Sequence, residues 1–232
     1  MKYYNKEGKE VEYSLGEKIN KVGNYGNIYK VEEDNDICLK ELKETEMCPL
    51  TIFDDIPTVI SEDIFKYFKN FNNPNFCKLY ELLYDKDNKI AAYTMQYYKS
   101  ITKNILLMPT TYLLDNFNDI YNSMEKLARD LVLVVDLHNK NMVLTDDRIV
   151  LLDFDKYRIE KNKSYEVLFE LNMSALYYAL IKMLQEAINK AGLSSEYNKM
   201  ASQLFTCNPT PMTLKRKLAG YDKTVDYFYR KH

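Results

Sequence analysis

Tryptophan is missing from this chain, and histidine occurs only twice among 232 residues. Two histidines, His138 and His232, leave no stock for histidine-based hydrolase triads or zinc clusters. The four cysteines, Cys38, Cys48, Cys77 and Cys207, lie far apart and lack the paired spacing of zinc or redox motifs. Cys38 and Cys77 fall within apolar segments, which predicts buried thiols and suits a reducing compartment. A basic excess is missing too. With 32 Lys and Arg against 34 Asp and Glu, the formal charge is −2, so no electrostatic footprint for DNA or RNA is expected. Met1–Lys6 lacks the apolar core of a signal peptide, and no stretch reads as long enough to span a bilayer. The expectation is a cytoplasmic protein with no membrane partner, or a leaderless effector delivered to another cell's cytosol. No internal repeat or low-complexity linker interrupts the chain. The 21 tyrosines read as compositional bias.

What is present is concentrated in Val134–Asp155, VVDLHNKNMVLTDDRIVLLDFD. The apolar run Leu131–Val135 brings buried backbone up to Asp136. Met142-Val143-Leu144, the turn Thr145–Arg148 and Ile149–Leu152 predict a short hairpin. Asn141 ends the loop before this hairpin and Asp153 follows it, so both are candidates to face one ion, with Asp136 close by. Hard oxygen donors without a His/Cys cluster suit Mg²⁺ on phosphates better than zinc.

These residues resemble the protein-kinase superfamily, whose catalytic loop reads His-Arg-Asp-x-x-x-x-Asn before a hairpin and Asp-Phe-Gly. Asp136 and Asn141 match that Asp and Asn. Asp153-Phe154-Asp155 matches Asp-Phe-Gly except at its last position. The resemblance implies that Asp136 orients or deprotonates an acceptor hydroxyl, while Asn141 and Asp153 hold Mg²⁺ on ATP phosphates.

The N-terminal part resembles the same family. Val22–Val31 looks like a glycine-rich loop and second strand, with Gly23 and Gly26 letting backbone approach phosphates and Tyr25 at the tip. Lys21 stands near the place of the first glycine. Ile37-Cys38-Leu39-Lys40 resembles Val-Ala-Ile-Lys, which implies that Lys40 reaches the nucleotide phosphates. A glutamate from the following helix is then expected to pair with Lys40. Ser61 is a candidate cap, and Ile64, Phe65 and Phe68 have helical spacing. Glu62 is the choice here, with Asp63 and Glu46 as alternatives. Ile90–Tyr98 resembles the strand and hinge that contact adenine, placing Met95 at the gatekeeper and the Gln96 and Tyr98 backbones on the purine.

The resemblance spans about Ile19–Leu184 and implies an α+β, two-lobed, protein-kinase-like fold. Residues 1–98 form a small strand-rich N-lobe and 99–232 a mostly helical C-lobe. Leu114–Arg129 is expected to be a helix behind the catalytic loop, and Leu171–Ile188 a core helix with Met173, Leu176, Tyr177, Leu180 and Leu184 inward. Asn172 stands where a kinase core helix usually begins with Asp.

The departures shape the expected function. Val134-Val135 replaces His-Arg, which removes the usual partner of a phosphorylated activation loop. The stretch from Asp153 to Asn172 is short and holds no Ala-Pro-Glu, so activity is expected not to require phosphorylation of Ser164 or Tyr165. The favoured reading is a minimal protein kinase using ATP and Mg²⁺ on Ser, Thr or Tyr hydroxyls of a protein substrate. Asp136-Leu137-His138 also resembles small-molecule kinases of the aminoglycoside and choline type, with a small-molecule acceptor. Aligning Leu137–Val143 with the segment before a kinase catalytic loop gives instead an inactive interaction module. Adenylylation on the same fold is a further alternative. His138 is expected to stabilise the loop by a hydrogen bond.

Overall fold

The computed structural model describes residues 2–19, 26–43, 59–101, 104–193 and 195–219. The chain divides into two compact units, Met1–Lys99 with Leu152–Arg158, and Ser100–Leu151 with Ile159–His232. The class is α+β: an antiparallel sheet dominates the first unit and helices dominate the second.

The first unit contains β1 (Lys2–Tyr4), β2 (Glu10–Glu12), β3 (Leu15–Lys18), β4 (Gly26–Val31), β5 (Asp34–Leu42), α1 (Glu62–Asn70), β6 (Leu79–Tyr84) and β7 (Ile90–Gln96). The strands form one sheet in the order β2-β1-β6-β7-β5-β4-β3, with antiparallel neighbours throughout. Side chains alternate between the two faces of a strand. Leu39 joins Tyr3, Val31, Leu83 and Ala92 in a core on one face. Its neighbour Lys40 therefore points to the other face, opposite Tyr93 in the β5–β7 register. Helix α1 packs on β6, and Phe65 meets the Tyr93 ring edge-on at 6.2 Å.

Helix α1 forms as the sequence predicts. Ser61 Oγ accepts the Ile64 N–H at 3.3 Å as an N-cap, and Ile64, Phe65 and Phe68 are buried. Leu152–Arg158 corrects the expected boundary, because it folds with the first unit and not with the region after residue 98. The reason is aromatic packing. Phe154 and Tyr157 are each 1 % exposed, and Phe154 stacks on Phe68 with centroids 4.1 Å apart.

The second unit is built on α2 (Thr110–Arg129), β8 (Val132–Leu133), the hairpin of β9 (Met142–Leu144) and β10 (Ile149–Leu151), α3 (Tyr165–Lys190) and α4 (Ser195–Phe205). Residues 211–219 are helical as well. The hairpin pairs Leu144 with Ile149 and Met142 with Leu151 across the expected Thr145–Arg148 turn. Helix α2 begins earlier than the expected Leu114. Its first turn is anchored by Tyr112, whose hydroxyl donates to the carbonyls of Thr145 and Arg148 at 2.9 and 2.6 Å. Helix α3 likewise starts before Leu171, since Ser164 caps it and Leu168 is fully buried with Ala128 and Leu133.

At 26 residues α3 is long and apolar enough, by length and composition, to cross a membrane. This corrects the expectation that no stretch has that length. Half of its most apolar window is buried in the fold, and α3 packs on both α2 and α4, as a core helix does.

Candidate functional site

In the first unit the chemistry gathers around Lys40. β5 carries this lysine inward, and only 4 % of it is exposed. Its Nζ donates to Asp153 Oδ1 at 2.7 Å and to Asp155 Oδ2 at 2.6 Å. Tyr93 Oη donates to the other oxygen of Asp155, Oδ1, at 2.8 Å. The cluster therefore holds one buried cation, two carboxylates and a buried phenol.

Burial works against the Lys40 charge, but attraction to Asp155 and Asp153 and their hydrogen bonds outweigh it, leaving its pKa raised. Burial pushes the Asp155 carboxyl up to about 6, although Lys40 pulls the opposite way. Burial also drives the Tyr93 phenol well above its ordinary value, so it stays a hydrogen-bond donor. The two acids differ in access. The Asp155 side chain is 3 % exposed and that of Asp153 33 %.

Gly26 opens β4 beside this cluster. A Cβ added there would lie 2.5 Å from the Glu41 carbonyl oxygen and 3.4 Å from Lys40 Cε, so sheet packing by itself demands glycine. Gly23 and Tyr25, the other predicted loop residues, lie outside the described residues, as do Glu46 and Cys48.

Glu62 does not pair with Lys40. It sits in the first turn of α1, where its Oε2 accepts from Lys6 Nζ at 2.6 Å and lies 3.3 Å from Lys66 Nζ. The hydrogen bond from Lys6 is the main cause holding its carboxyl down at about 2. The partners expected of a helix glutamate come instead from the Asp153-Phe154-Asp155 run. β7 continues to Gln96, the first of the two expected hinge residues, and its N–H donates to the Lys78 carbonyl at 2.9 Å. Tyr98 turns its hydroxyl onto Gln96 Oε1 at 3.0 Å. Met95 is buried on β7, paired with Cys38.

In the second unit, β8 leads into the loop that carries Asp136 and Asn141. Asn172, fully buried on α3, grips the backbone before that loop. Its Oδ1 accepts the Val134 N–H at 2.8 Å and its Nδ2 donates to the Val132 carbonyl at 3.0 Å. Asp136 follows with a left-handed backbone, φ 61°, and an exposed side chain. Asn141 Nδ2 donates to the Asp136 carbonyl at 3.0 Å, which ties the two ends of the loop together. His138 caps the short helical turn between them, its Nδ1 accepting the Lys140 N–H at 3.2 Å, in the loop-stabilising role expected of it.

An open groove of about 410 Å³ also lies in the second unit, bounded by Ile101, Asn104, Met142, Leu144, Met183 and Glu186. None of the predicted site residues is among its described lining. Residues 156–164 link Asp155 to α3. Ser164 serves as the helix cap. Tyr165 donates to Glu125 Oε1 at 3.3 Å under the Arg129 guanidinium, 4.7 Å from its ring.

Among the described residues no group of three or more His, Cys, Asp or Glu side chains gathers as a metal cage. Mg²⁺ on phosphates asks for less, one or two carboxylates with water and phosphate oxygens completing the shell. Asp153, one-third exposed, is a donor of that kind. Asp155 and Tyr93 were not legible as site residues in the sequence. The acid two residues after Asp153, in an otherwise apolar run, was the available signal for Asp155. Comparison with protein-family models and with curated proteins gives no match for this chain.

Proposed function

We propose that this chain is an ATP- and Mg²⁺-dependent phosphotransferase, a minimal protein-kinase-like enzyme acting on hydroxyl acceptors. One observation carries the proposal: Lys40 on an internal strand reaches Asp153, 113 positions later, at 2.7 Å. A strand lysine and the first Asp of an Asp-Phe-x run serve the same phosphates in kinase chemistry, and here they share a hydrogen bond. The buried Asn172 clamp behind Asp136 supports the second half of the motif, since it fixes the backbone from which the proposed catalytic carboxylate projects.

In this proposal Lys40 places a fixed positive charge on the nucleotide phosphates. Asp153 and, by the resemblance, Asn141 would hold Mg²⁺, and the ion would supply neutralisation of charge on the transferring phosphoryl group. Asp136 orients the acceptor hydroxyl and receives its proton. The acceptor oxygen bonds to the γ-phosphorus while the bond from that phosphorus to the β–γ bridging oxygen breaks. ADP leaves with that electron pair.

The shortness of the link at residues 156–164 favours a second reading, phosphorylation of a small molecule, because this segment supplies little surface on which a peptide could dock. One experiment separates the readings: purified protein incubated with γ-labelled or α-labelled ATP, Mg²⁺ and a whole lysate. γ-Label in protein supports a protein kinase, and γ-label in small molecules supports the second reading. α-Label in protein indicates adenylylation. Absence of any transfer by a folded, nucleotide-binding protein overturns the enzyme proposal in favour of an interaction module.

A further inference from the structure

The geometry points to Asp155 as a positioning residue that supplies the counter-charge of Lys40 and so leaves Asp153 available to a divalent cation. This inference rests on the phosphotransferase proposal. It starts from the unequal use of four carboxylate oxygens. Both oxygens of Asp155 are taken by protein, Oδ2 by Lys40 at 2.6 Å and Oδ1 by Tyr93 at 2.8 Å. Its side chain is 3 % exposed. Such a carboxylate is dedicated to the protein.

Asp153 is bound, among the described residues, through Oδ1 alone, and a third of its side chain is open. Charge counting gives the same division. One ammonium and one buried carboxylate neutralise each other, and the second carboxylate remains as a surplus negative charge at the accessible end. A buried charge must be matched locally. Among the described residues no glutamate pairs with Lys40, and Glu62 is engaged with Lys6 and Lys66. Asp155 takes that task. Tyr93, whose phenol stays protonated, orients it.

Removing the Asp155 charge leaves Lys40, among the described residues, with Asp153 as its remaining carboxylate. Ammonium and metal then compete for the same group. The test is a double-mutant cycle on the full chain. Mn²⁺ is titrated with a non-hydrolysable ATP analogue at a concentration that calorimetry shows to saturate each variant, and free ion is followed by its EPR signal. Asp155→Asn is expected to weaken Mn²⁺ binding about tenfold, the scale of a charge-assisted interaction. In a Lys40→Met background the same substitution should change it less than twofold, because the competing ammonium is gone.

A purely structural role would weaken binding equally in both backgrounds, and that result overturns the inference while leaving the enzyme proposal intact. If the wild-type chain binds no Mn²⁺ with nucleotide, both fall. Should Asp155→Asn not fold, Tyr93→Phe carries the test. It frees one Asp155 oxygen without altering charge, and a weakening of Mn²⁺ binding that disappears with Lys40→Met supports the inference, whereas one that persists sinks it.

Discussion

Phe154 lies almost flat on Phe68, with ring centroids 4.1 Å apart and planes 15° from parallel. This stack fastens the segment between the two acids of the Lys40 cluster to helix α1. Phe76 and Tyr157 close around it, at 5.9 Å from Phe68 and 5.3 Å from Phe154. Removing the Phe154 ring should cost about 3–5 kcal/mol, as for other fully buried aromatics. The expected outcome for Phe154→Ala is a large drop in the denaturant midpoint, together with faster amide exchange across Leu152–Arg158. A change under about 1 kcal/mol would mean the stack does not anchor the segment.

Lys40 and Asp136 should fail differently. Asp136→Asn is expected to lower turnover by a factor of roughly 10² or more while leaving ATP affinity within a few-fold, since aligning a hydroxyl matters mainly in the transition state. Lys40→Met should damage turnover and ATP affinity together. Steady-state rates paired with calorimetric nucleotide titration distinguish the two patterns, and full turnover by Asp136→Asn in every acceptor assay removes it from the catalytic role.

Asn172→Ala orphans the Val134 N–H and the Val132 carbonyl inside the fold. Two buried groups left without partners cost about 2–4 kcal/mol. Hydrogen exchange read by mass spectrometry should show lost protection over residues 132–136. Unchanged protection there would show that the clamp does not hold the loop.

The thiols offer a check that is independent of activity. Burial pushes the Cys38 thiol up to about 12 and Cys77 well above its ordinary value, so neither forms appreciable thiolate near pH 8. Cys207 is exposed. Iodoacetamide at pH 8 should modify Cys207 at least about tenfold faster than either buried thiol, as judged by peptide mass spectrometry. Comparable rates at Cys38 would contradict the packing of β5 against β7. As pH rises toward 12, Cys38 should gain reactivity if the fold persists.

How far these features can be read from sequence depends on how local their causes are. The Met142–Leu151 hairpin and the start of α1 follow from turn residues, alternation and a serine cap, all within a few positions of one another. Lys40 and Asp153 are legible as family-like motifs, although their meeting depends on the tertiary fold. Asp155 stands where the resembled Asp-Phe-Gly motif has a residue with no side chain, so the resemblance assigns it nothing, and its ion pair appears only when β5 and the Asp-Phe-Asp run are folded together. Glu62 fails for the opposite reason. Helix position makes it a plausible partner for Lys40, but its location in the first turn leaves it exposed to Lys6, a residue 56 positions earlier. The sheet bond that uses the Gln96 N–H is equally invisible, because backbone donors carry no side-chain signature.

Asp136 and Asp153 share one further property, a left-handed backbone with φ 61° at each. Glycine, asparagine and aspartate itself occupy that region with less strain than alanine or valine. Under selection for folding alone, both positions would therefore stay within that set. Copies of this gene that have lost the proposed activity but kept the fold should carry Gly, Asn or Asp at 136 and 153 more often than Ala or Val. In a lineage, decay of function would leave a recognisable spelling before it left any change of shape.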